Sequence, residues 1–403
     1  VPAGELWGFS VHPMRNADAK YRLFVVNVPS FFVSHRLPVG VEARHRGWRV
    51  DLLSGRANPQ AEQAATDTLV RLGIGWKAAA FHAAGINPFA ELRGLLSVIA
   101  GVRAMKPDIV HTASPKGNLY GGIAARLCRV PKLVVAVSGQ GFLFTGRQRG
   151  LKRWLATLYQ RLIRWVYAHP DCTVIVQNRD DWQALMQAGL VDARQLRLIP
   201  GSGVDPALYA GSAPGSGEDI VLLPARLLTD KVVLEFVQAA RSLRSQGCGW
   251  RFVLAGEADA ANPAAIATEQ VKAWVAEGVV EWWGHRTDMP AVFARAAIVC
   301  LPSHREGMPK ALLEAAMAGK PVVTTDAVGC REAILPGESG LLVPVGDAEA
   351  LAQAIRVLIE DAALRVRFGA RGRALAVERF TQQAVIDGTF VIYEAGHGID
   401  GYG

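Results

Sequence analysis

The stretch LPSHREGMPKALLEAAMAGKPVV, residues 301–323, gives the strongest local indication of the fold. An apolar strand is predicted to end at Ser303, and a polar loop carrying Glu306 follows it. A helix is predicted to begin with Pro309 at its first position, where the missing N–H costs nothing. A second apolar run follows at residues 321–325. Strand, helix and strand in this order predict a βαβ unit, the building block of a parallel sheet.

The same alternation of short apolar runs and longer amphipathic stretches extends through both halves of the chain, which predicts an α/β protein with two Rossmann-like domains. A segment rich in Gly, Ser and Pro, residues 201–218, has the composition of a linker. We therefore predict an N-terminal domain over residues 1–200 and a C-terminal domain over residues 201–380. Residues 381–403 are expected to form a helix and tail that cross back to the first domain. Predicted strands cover residues 21–28, 48–53, 108–112, 133–137, 173–177 and 196–200 in the first half, and residues 220–224, 251–255, 279–282, 298–301, 321–325 and 340–343 in the second.

The composition limits the class of protein. With 403 residues, of which 50% are hydrophobic, the chain can bury two cores, because single cores stop growing at about 250–300 residues. Its five cysteines show no CxxC spacing and are odd in number, so neither a zinc site nor a disulfide framework is expected and a reducing cytoplasm fits best. No apolar run reaches the roughly 18 residues that a membrane-spanning helix needs.

Charge is distributed unevenly along the chain. Residues 1–200 carry 26 Lys and Arg against 12 Asp and Glu, a balance of +14, whereas residues 201–403 carry 18 against 24, a balance of −6. The basic half is therefore expected to meet an anionic partner: a nucleic acid, an acidic membrane face or a phosphorylated acceptor. The alternative is a solvated basic face that serves solubility.

Two carboxylates follow the strand of the opening stretch. Ligands of open α/β sheets bind beyond the carboxyl ends of the strands, which places Glu306 at the mouth of a crevice and Glu314 on the following helix. Both carboxylates can accept hydrogen bonds from the hydroxyls of a sugar or ribose. The free amides of Gly307 and Met308 at the helix start can bind an anion. The alternative is an ordinary surface loop followed by a helix with an ordinary Glu.

Two cations follow the first strand of the second half, in LLPARLLTDKVVLEF, residues 222–236. Arg226 and Lys231 are expected at the same crevice as Glu306, where Arg can bind a diphosphate bidentately and Lys can act as a point charge. Such cations would neutralise a diphosphate leaving group. The alternative, two solvated basic residues ahead of a helix, is the commoner outcome for an isolated pair with this spacing.

Further candidates lie in the first half. His111 is expected at the end of a buried strand that faces the interdomain cleft, where it could bind a sugar hydroxyl or the reacting phosphate; the alternative is a histidine that only caps the strand. His35 and Lys116 are lesser candidates on the acceptor side. The pairs Asp180–Asp181 and Glu257–Asp259 are interpreted as surface groups, and no metal site is expected.

The segment RQRGLKRWLATLYQRLIRWVYA, residues 147–168, combines six basic residues and no acidic one with apolar residues at helical spacing. A basic amphipathic helix with Trp is typical of a membrane-surface contact. The alternative is a helix that packs on the sheet with its charges in solvent, and we expect both descriptions to hold in part. Arg149, Lys152, Arg153 and Trp154 are the candidate membrane-side residues.

These motifs together resemble glycosyltransferase family 4, the retaining transferases of the two-domain GT-B architecture, over nearly the whole chain. The E-x7-E motif from Glu306 to Glu314 is the most specific feature. Also similar are IPGSGVD at residues 199–205 and VGCREAI at residues 328–334. In the first half the similar segments are FFVSHRLPV (31–39), KPDIVHTASPKGNLYG (106–121) and SGQGFLFTG (138–146).

The resemblance implies a GT-B fold, with two Rossmann-like domains whose parallel sheets face a central cleft. It also implies a donor site and two catalytic residues, Glu306 and His111. The implied donor-binding residues are Arg226, Lys231, Glu306, Gly307, Met308, Pro309 and Glu314. Three features depart from the family pattern: Val232 stands where Gly is usual, PSFFVSH replaces a Gly-Gly loop, and a His-x-His motif is reduced to His111 with Ala113.

The implied function is retaining transfer of a hexose or N-acetylhexosamine from a nucleotide diphosphate sugar, with UDP as the expected carrier. The expected acceptor is a glycan or a polyprenyl-diphosphate-linked sugar, as in bacterial lipid-linked oligosaccharide and surface polysaccharide assembly. No cofactor and no nucleic-acid partner are expected, and the protein would be cytoplasmic and peripheral to the inner face of the cytoplasmic membrane. Two alternatives remain: a nucleotide-sugar epimerase on the same fold, and a non-enzymatic basic scaffold that binds membrane or nucleic acid.

Overall fold

The computed structural model describes residues 20–56, 59–82, 87–138, 151–258, 262 and 264–395. It contains two sheets, and every strand pair in these ranges is parallel. The first sheet comprises β1 (Tyr21–Val26), β2 (Arg49–Arg56), β3 (Gly75–His82), β4 (Ile109–Ala113), β5 (Lys132–Val137), β6 (Cys172–Val176) and β7 (Leu196–Leu198). The second comprises β8 (Glu218–Pro224), β9 (Arg251–Ala255), β10 (Glu281–Trp282), β11 (Ala296–Leu301), β12 (Val322–Thr325) and β13 (Gly340–Val343).

Helices connect the strands and cover both faces of each sheet. In the first half they are α1 (Pro29–His35), α2 (Leu37–His45), α3 (Pro59–Arg71), α4 (Pro88–Met105), α5 (Pro115–Leu127), α6 (Leu151–Tyr167) and α7 (Arg179–Gln187). In the second half they are α8 (Val233–Ser245), α9 (Thr268–Ala276), α10 (Met289–Arg295), α11 (Lys310–Met317), α12 (Ala348–Glu360), α13 (Ala362–Arg379) and α14 (Gln382–Glu394).

The cores lie between the sheets and their helices. Central strands such as β5 and β11 are buried along their whole length, because a parallel strand with helices on both faces has no solvent side. In the first sheet, Ile123 and Val166 pack on one face, while Phe32 and Phe390 pack on the other. The second sheet is covered in the same way on both faces.

The strand order locates the crevice of each domain. The first sheet runs β3-β2-β1-β4-β5-β6-β7 and the second β10-β9-β8-β11-β12-β13. The order reverses between β1 and β4 and between β8 and β11, and ligands of open α/β sheets bind beyond the carboxyl ends of the strands at such points. The loops after β8 and β11 contain Arg226 and Glu306.

The last helix, α14, leaves the second domain and packs on the first. The chain crosses beside the linker, where the Gln382 amide donates to the Val204 carbonyl at 3.0 Å. Phe390 then contacts Trp48, with ring centroids 5.0 Å apart. Lys132 Nζ donates to the Ile392 carbonyl at 3.0 Å. The end of the chain thus contributes to the core of the first domain.

Strand β3 is absent from the strands expected from the sequence. It is an edge strand that pairs with β2, and most of its residues are partly exposed. Its sequence, GWKAAAFH, therefore lacks the continuous apolar run by which buried parallel strands are recognised. Helix α11 begins at Lys310, with Pro309 as its N-cap, one residue later than expected.

Candidate functional site

Two loops of the second domain meet at the carboxyl ends of β8 and β11. After β8 the chain forms a short 3₁₀ turn, Thr229–Lys231. The Asp230 carbonyl accepts from the His304 amide at 3.0 Å, which joins this turn to the loop after β11. Lys231 forms an ion pair with Glu306. The two side chains are only 15% and 16% exposed, so the pair is partly withdrawn from water and its charges are weakly screened.

Val232, which follows Lys231, has a left-handed backbone with φ of +58°. A β-branched residue is strained in this region, which glycine occupies freely. The family that this chain resembles usually has glycine at this position. The chain keeps the left-handed backbone there but carries valine. Val232 is buried, and its apolar contacts offset part of the strain.

The loop that carries Glu306 is held from within its own domain. The Glu306 amide donates to the Val328 carbonyl at 3.0 Å. Gly329 adopts φ of +77°, and a Cβ there would lie 2.4 Å from the Glu306 carbonyl oxygen, so the close approach requires glycine. Among the described residues, no acceptor is bonded to the amides of Gly307 and Met308. These two N–H groups are available to an anion.

Glu314 lies on α11, five residues into the helix, with its side chain 15% exposed. Burial raises the pKa of this carboxyl, although the neighbouring Lys310 ammonium, 3.7 Å away, and Tyr209 act in the opposite direction. A polar ligand that donates hydrogen bonds to Glu314 would favour its charged form.

Basic groups from both domains surround the opening. Arg226 is exposed and has no ion pair within the described ranges. Lys310 Nζ donates to the Ser34 carbonyl of α1 at 3.2 Å. Burial and the charges of Arg36, Lys310 and Arg226 lower the pKa of His35 to about 4. The cations that add to the effect of burial on His35 would also attract a diphosphate.

Comparisons with known proteins agree with this geometry. The model described as "Glycosyl transferase 4-like domain" matches residues 37–201, and the model described as "Glycosyl transferases group 1" matches residues 218–361. The chain belongs to the glycosyltransferase family defined by these two domains.

Similar proteins and solved structures align with most of this chain. It is 28% identical to the N,N'-diacetylbacillosaminyl-diphospho-undecaprenol alpha-1,3-N-acetylgalactosaminyltransferase of Campylobacter jejuni, over 76% of this chain and 82% of that protein. The putative glycosyltransferase EpsD of Bacillus subtilis is 27% identical, over 93% of this chain and 96% of EpsD.

The structure of Anabaena HepE in complex with UDP and glucose has a TM-score of 0.70 and 20% identity, over 93% of this chain and 99% of HepE. A glycosyltransferase from Rickettsia africae has a TM-score of 0.72 and 19% identity, over 94% of this chain and 98% of that one. The expected GT-B fold is confirmed.

His111 of the glycosyltransferase does not lie at the end of its strand. It is the middle residue of β4, paired with Phe24 and Val134, and only 1% exposed. Its Nδ1 is hydrogen-bonded to the hydroxyl of Tyr393 on α14. Burial, together with the charge of Arg36, holds its pKa well below the usual value. The expectation that His111 faces the cleft from a strand end is corrected, because the crossing helix covers this face of the sheet.

Lys116, the other candidate in the first domain, is held in place by its neighbours. Its Nζ forms an ion pair with Glu91 at 2.7 Å and donates to the His82 carbonyl at 3.0 Å. These contacts join the start of α5 to α4 and to the end of β3. Its role on the acceptor side remains a prediction.

The basic segment is only partly described. Arg149 lies outside the described residues. Lys152, Arg153 and Trp154 lie in α6, but their side chains are outside the description. Farther along α6, the buried residues are Ile163, Val166 and Tyr167.

The exposed apolar residues of α6 are Leu155, Leu158 and Trp165, beside the exposed Arg161. The packing alternative, in which the apolar residues of this segment lie against the sheet, does not hold for Leu155 and Leu158. Helix α6 therefore has one set of apolar residues that is buried and another set that is exposed to solvent. Within the described ranges, no helix is long and apolar enough to cross a membrane.

Residues at the switch point of the first sheet were missed by the sequence analysis. Asn27 follows β1 and Ser114 follows β4, and the Ser114 hydroxyl donates to Asn27 Oδ1 at 2.7 Å. The Gly117 amide donates to the same oxygen at 3.3 Å. Ser114 also has a positive φ of +74°, and strained residues cluster at functional sites. Asn27 was missed because the strand expected over residues 21–28 includes it, whereas β1 ends at Val26.

Asp181 corrects the interpretation of the Asp180–Asp181 pair as surface groups. Its side chain is 1% exposed and forms an ion pair with Arg305 of the second domain. Asp180 pairs with Arg331 at 3.1 Å. Asp259 lies outside the described residues. In the part of the chain that the structure describes, no three His, Cys, Asp or Glu side chains are grouped as metal ligands would be.

Proposed function

We propose that the glycosyltransferase transfers a hexose or N-acetylhexosamine from a UDP-sugar, with retention, to a polyprenyl-diphosphate-linked or glycan acceptor in bacterial polysaccharide assembly. The observation that carries the proposal is the arrangement at the β8–β11 switch point. The loops there carry the Lys231–Glu306 pair, the exposed Arg226 and the amides of Gly307 and Met308, which have no acceptor among the described residues. This combination offers cations and N–H donors to a diphosphate and a carboxylate to sugar hydroxyls.

The donor would lie along this edge. Arg226 and the free amides would bind the diphosphate, Glu314 the ribose hydroxyls, and Glu306 the hydroxyls of the transferred sugar. Lys231, already beside Glu306, would meet the phosphate next to the sugar. The names of relatives and neighbours support UDP-linked donors: the Anabaena structure holds UDP and glucose, and an Escherichia coli relative, 26% identical, is named as a UDP-Gal-dependent galactosyltransferase.

The chemistry would follow from charge placement. The bond between the sugar anomeric carbon and the diphosphate oxygen breaks, and negative charge accumulates on the departing UDP. Arg226, Lys231 and the two amides would stabilise that charge, and preorganised donors of this kind are among the largest contributors to catalysis. An acceptor hydroxyl would attack the same face of the sugar and pass its proton to the departing phosphate oxygen. No protein nucleophile is needed for this path.

The acceptor side is proposed to face a membrane. Relatives named for undecaprenyl-diphosphate-linked acceptors support a lipid-linked substrate. Exposed apolar residues lie in the first halves of two helices, Phe89 and Leu92 on α4 and Leu155 and Leu158 on α6. Both helices follow parallel strands and therefore begin at the carboxyl edge of the first sheet. Ligands of such sheets bind beyond this edge. Peripheral contact with the inner face of the cytoplasmic membrane would present a lipid-linked acceptor there.

A thermal-shift panel tests the proposal. UDP-glucose, UDP-galactose and their N-acetylamino counterparts are compared with GDP-mannose and with uridine. A ligand at about 100 times its dissociation constant stabilises a protein by roughly 2.7 kcal/mol. At least one UDP-sugar should raise the Tm of the wild type, and the shift should decrease in Arg226→Ala. An equal response to every nucleotide, or a response unchanged in Arg226→Ala, would contradict the proposed donor site.

A further inference from the structure

Four polar contacts join the start of α7 in the first domain to two segments of the second domain, the loop after β11 and the segment after β12. They connect Asn178 with Gly307, Arg179 with Glu332, Asp180 with Arg331, and Asp181 with Arg305. We call these residues the interdomain cluster. Two of its contacts, those with Arg305 and Gly307, reach the loop that carries the proposed donor-binding amides.

Asn178 is the most enclosed member of the cluster, with 0% exposure. Its Oδ1 accepts from the Asp181 amide at 2.7 Å and so caps α7. Its Nδ2 donates to Asp181 Oδ2 at 2.9 Å and, across the domain boundary, to the Gly307 carbonyl at 2.6 Å. A fully buried carboxamide whose bonds are directed at fixed partners holds those partners in place.

The contact with Gly307 determines the direction of an amide. The Gly307 carbonyl and the Met308 N–H belong to the same planar trans peptide and point in opposite directions. Holding the carbonyl toward Asn178 therefore directs the Met308 N–H away from Asn178. The preceding part of the loop is fixed separately, through the Glu306 amide and Val328. The orientation of this one peptide therefore depends on the first domain.

We propose that Asn178 is a positioning residue that orients the Met308 amide toward the departing phosphate when the two domains meet. The inference rests on the proposed function, which gives that amide its ligand. It means that a residue of the first domain helps to orient the donor-binding loop of the second domain. Arg226, Lys231 and Glu314 have no hydrogen bond to Asn178 in the described structure, so its loss would leave these proposed contacts with UDP in place and affect only the Met308 amide.

The test variant is Asn178→Ser. A serine hydroxyl can still cap α7, but it is too short to reach the Gly307 carbonyl. The matched control is Asn87→Ser. Asn87 caps α4 by accepting from the amides of Phe89 and Ala90, and these bonds stay within its own helix. A second variant, Arg305→Gln, removes the ion pair with Asp181 from the second-domain side and leaves the Asn178 cap intact.

The measurements are the Tm, the Kd of UDP by calorimetry, and kcat and KM for UDP release from the UDP-sugar that stabilises the wild type most. We expect Asn178→Ser to lower kcat about 10- to 100-fold, because small misalignments of reacting groups cost up to about 100-fold. The Kd of UDP should stay within about fivefold of the wild type, since a net hydrogen bond is worth only about 1 kcal/mol. Arg305→Gln should lower kcat by a smaller factor, and Asn87→Ser should leave it unchanged.

A kcat of folded Asn178→Ser within twofold of the wild type would overturn the inference. So would equal losses in Asn178→Ser and Asn87→Ser, or a change confined to the Tm, because either result means that Asn178 only caps its helix. If Asn178→Ser does not fold, an unchanged kcat in Arg305→Gln overturns the inference. Failure of the wild type to bind UDP is a different outcome, since it overturns the proposed function itself.

Discussion

The two domains place their basic residues differently. Residues 1–200 carry a balance of +14, yet the described basic side chains of that domain include a buried Arg22 stacked on Trp48 and a Lys116 paired with Glu91. Residues 201–403 carry a balance of −6 and still contain the proposed diphosphate site, where Arg226 lies exposed after β8. If the proposed site is correct, the position of a cation at the carboxyl end of a strand matters more for phosphate binding than the net charge of its domain.

The largest effect of a single charge is expected at Glu306. Glu306→Gln keeps the shape of the side chain but removes the charge that Lys231 pairs with. We expect kcat for transfer to fall about 10- to 100-fold, since a hydrogen bond to a charged group contributes about 1.5–3 kcal/mol. Steady-state kinetics with a UDP-sugar measure it. Glu338→Gln, at an exposed pair with Arg371, is the control, and equal rates in both variants would remove Glu306 from the site.

A smaller effect is expected for Arg226→Ala. This variant distinguishes the effect of the position of a cation from the effect of net charge. Binding of UDP should weaken about tenfold, whereas binding of uridine should change less than twofold, because the guanidinium is expected to contact phosphate and not base or ribose. Calorimetry with both ligands measures the two constants. Arg367→Ala changes the net charge equally at an exposed position of α13. Equal losses for UDP and uridine would place Arg226 elsewhere than at the diphosphate.

The basic surface of the first domain should give a smaller, salt-dependent effect. Arg161→Glu, on the exposed face of α6, should weaken sedimentation with anionic liposomes about fivefold or more, since each basic residue near such a surface contributes about 1 kcal/mol. Wild-type binding should disappear toward about 0.5 M salt as the Debye length shortens. Arg367→Glu is the matched charge reversal in the second domain. Equal binding to neutral and anionic vesicles would mean that the basic residues of the first domain, with its balance of +14, form only a solvated surface.

The smallest expected effect concerns His35 and pH. In the folded protein its pKa is lowered to about 4, chiefly by burial and then by neighbouring cations. The unfolded chain therefore binds more protons between pH 6.5 and about 4, and stability falls as the pH falls through this window. His35→Gln should flatten that part of the stability profile, as measured by urea unfolding at several pH values. An unchanged slope would mean that His35 is not enclosed by both domains.

The fold and the positions of Arg226 and Glu306 after their strands could be predicted because they depend on local sequence. Apolar runs located all six strands of the second sheet, and the residues after those strands located Arg226 and Glu306. The edge strand β3 escaped because a half-exposed strand has no continuous apolar run. The ranges of the two domains and the roles of the site residues remain predictions.

Residues that depend on tertiary contacts could not be predicted in the same way. His111 is enclosed by Tyr393, 282 positions away in the chain. Asn178 meets Gly307 across 129 positions. No spacing rule relates residues so far apart, and each pairing exists only because α14 crosses to the first domain or because the two domains meet. Asp180 and Asp181 were interpreted as surface groups because their partners, Arg331 and Arg305, belong to the other domain.

Acceptor-dependent UDP release, followed with the anomeric proton of the product by NMR, tests the central claim most directly. The wild type is incubated with an α-linked UDP-sugar, with and without a polyprenyl-diphosphate-linked N-acetylhexosamine acceptor. Retaining transfer at the proposed site requires UDP release that depends on the acceptor, an α-linked product, and loss of both in Glu306→Gln. Conversion of the UDP-sugar to an epimer without acceptor, or a β-linked product, would contradict it.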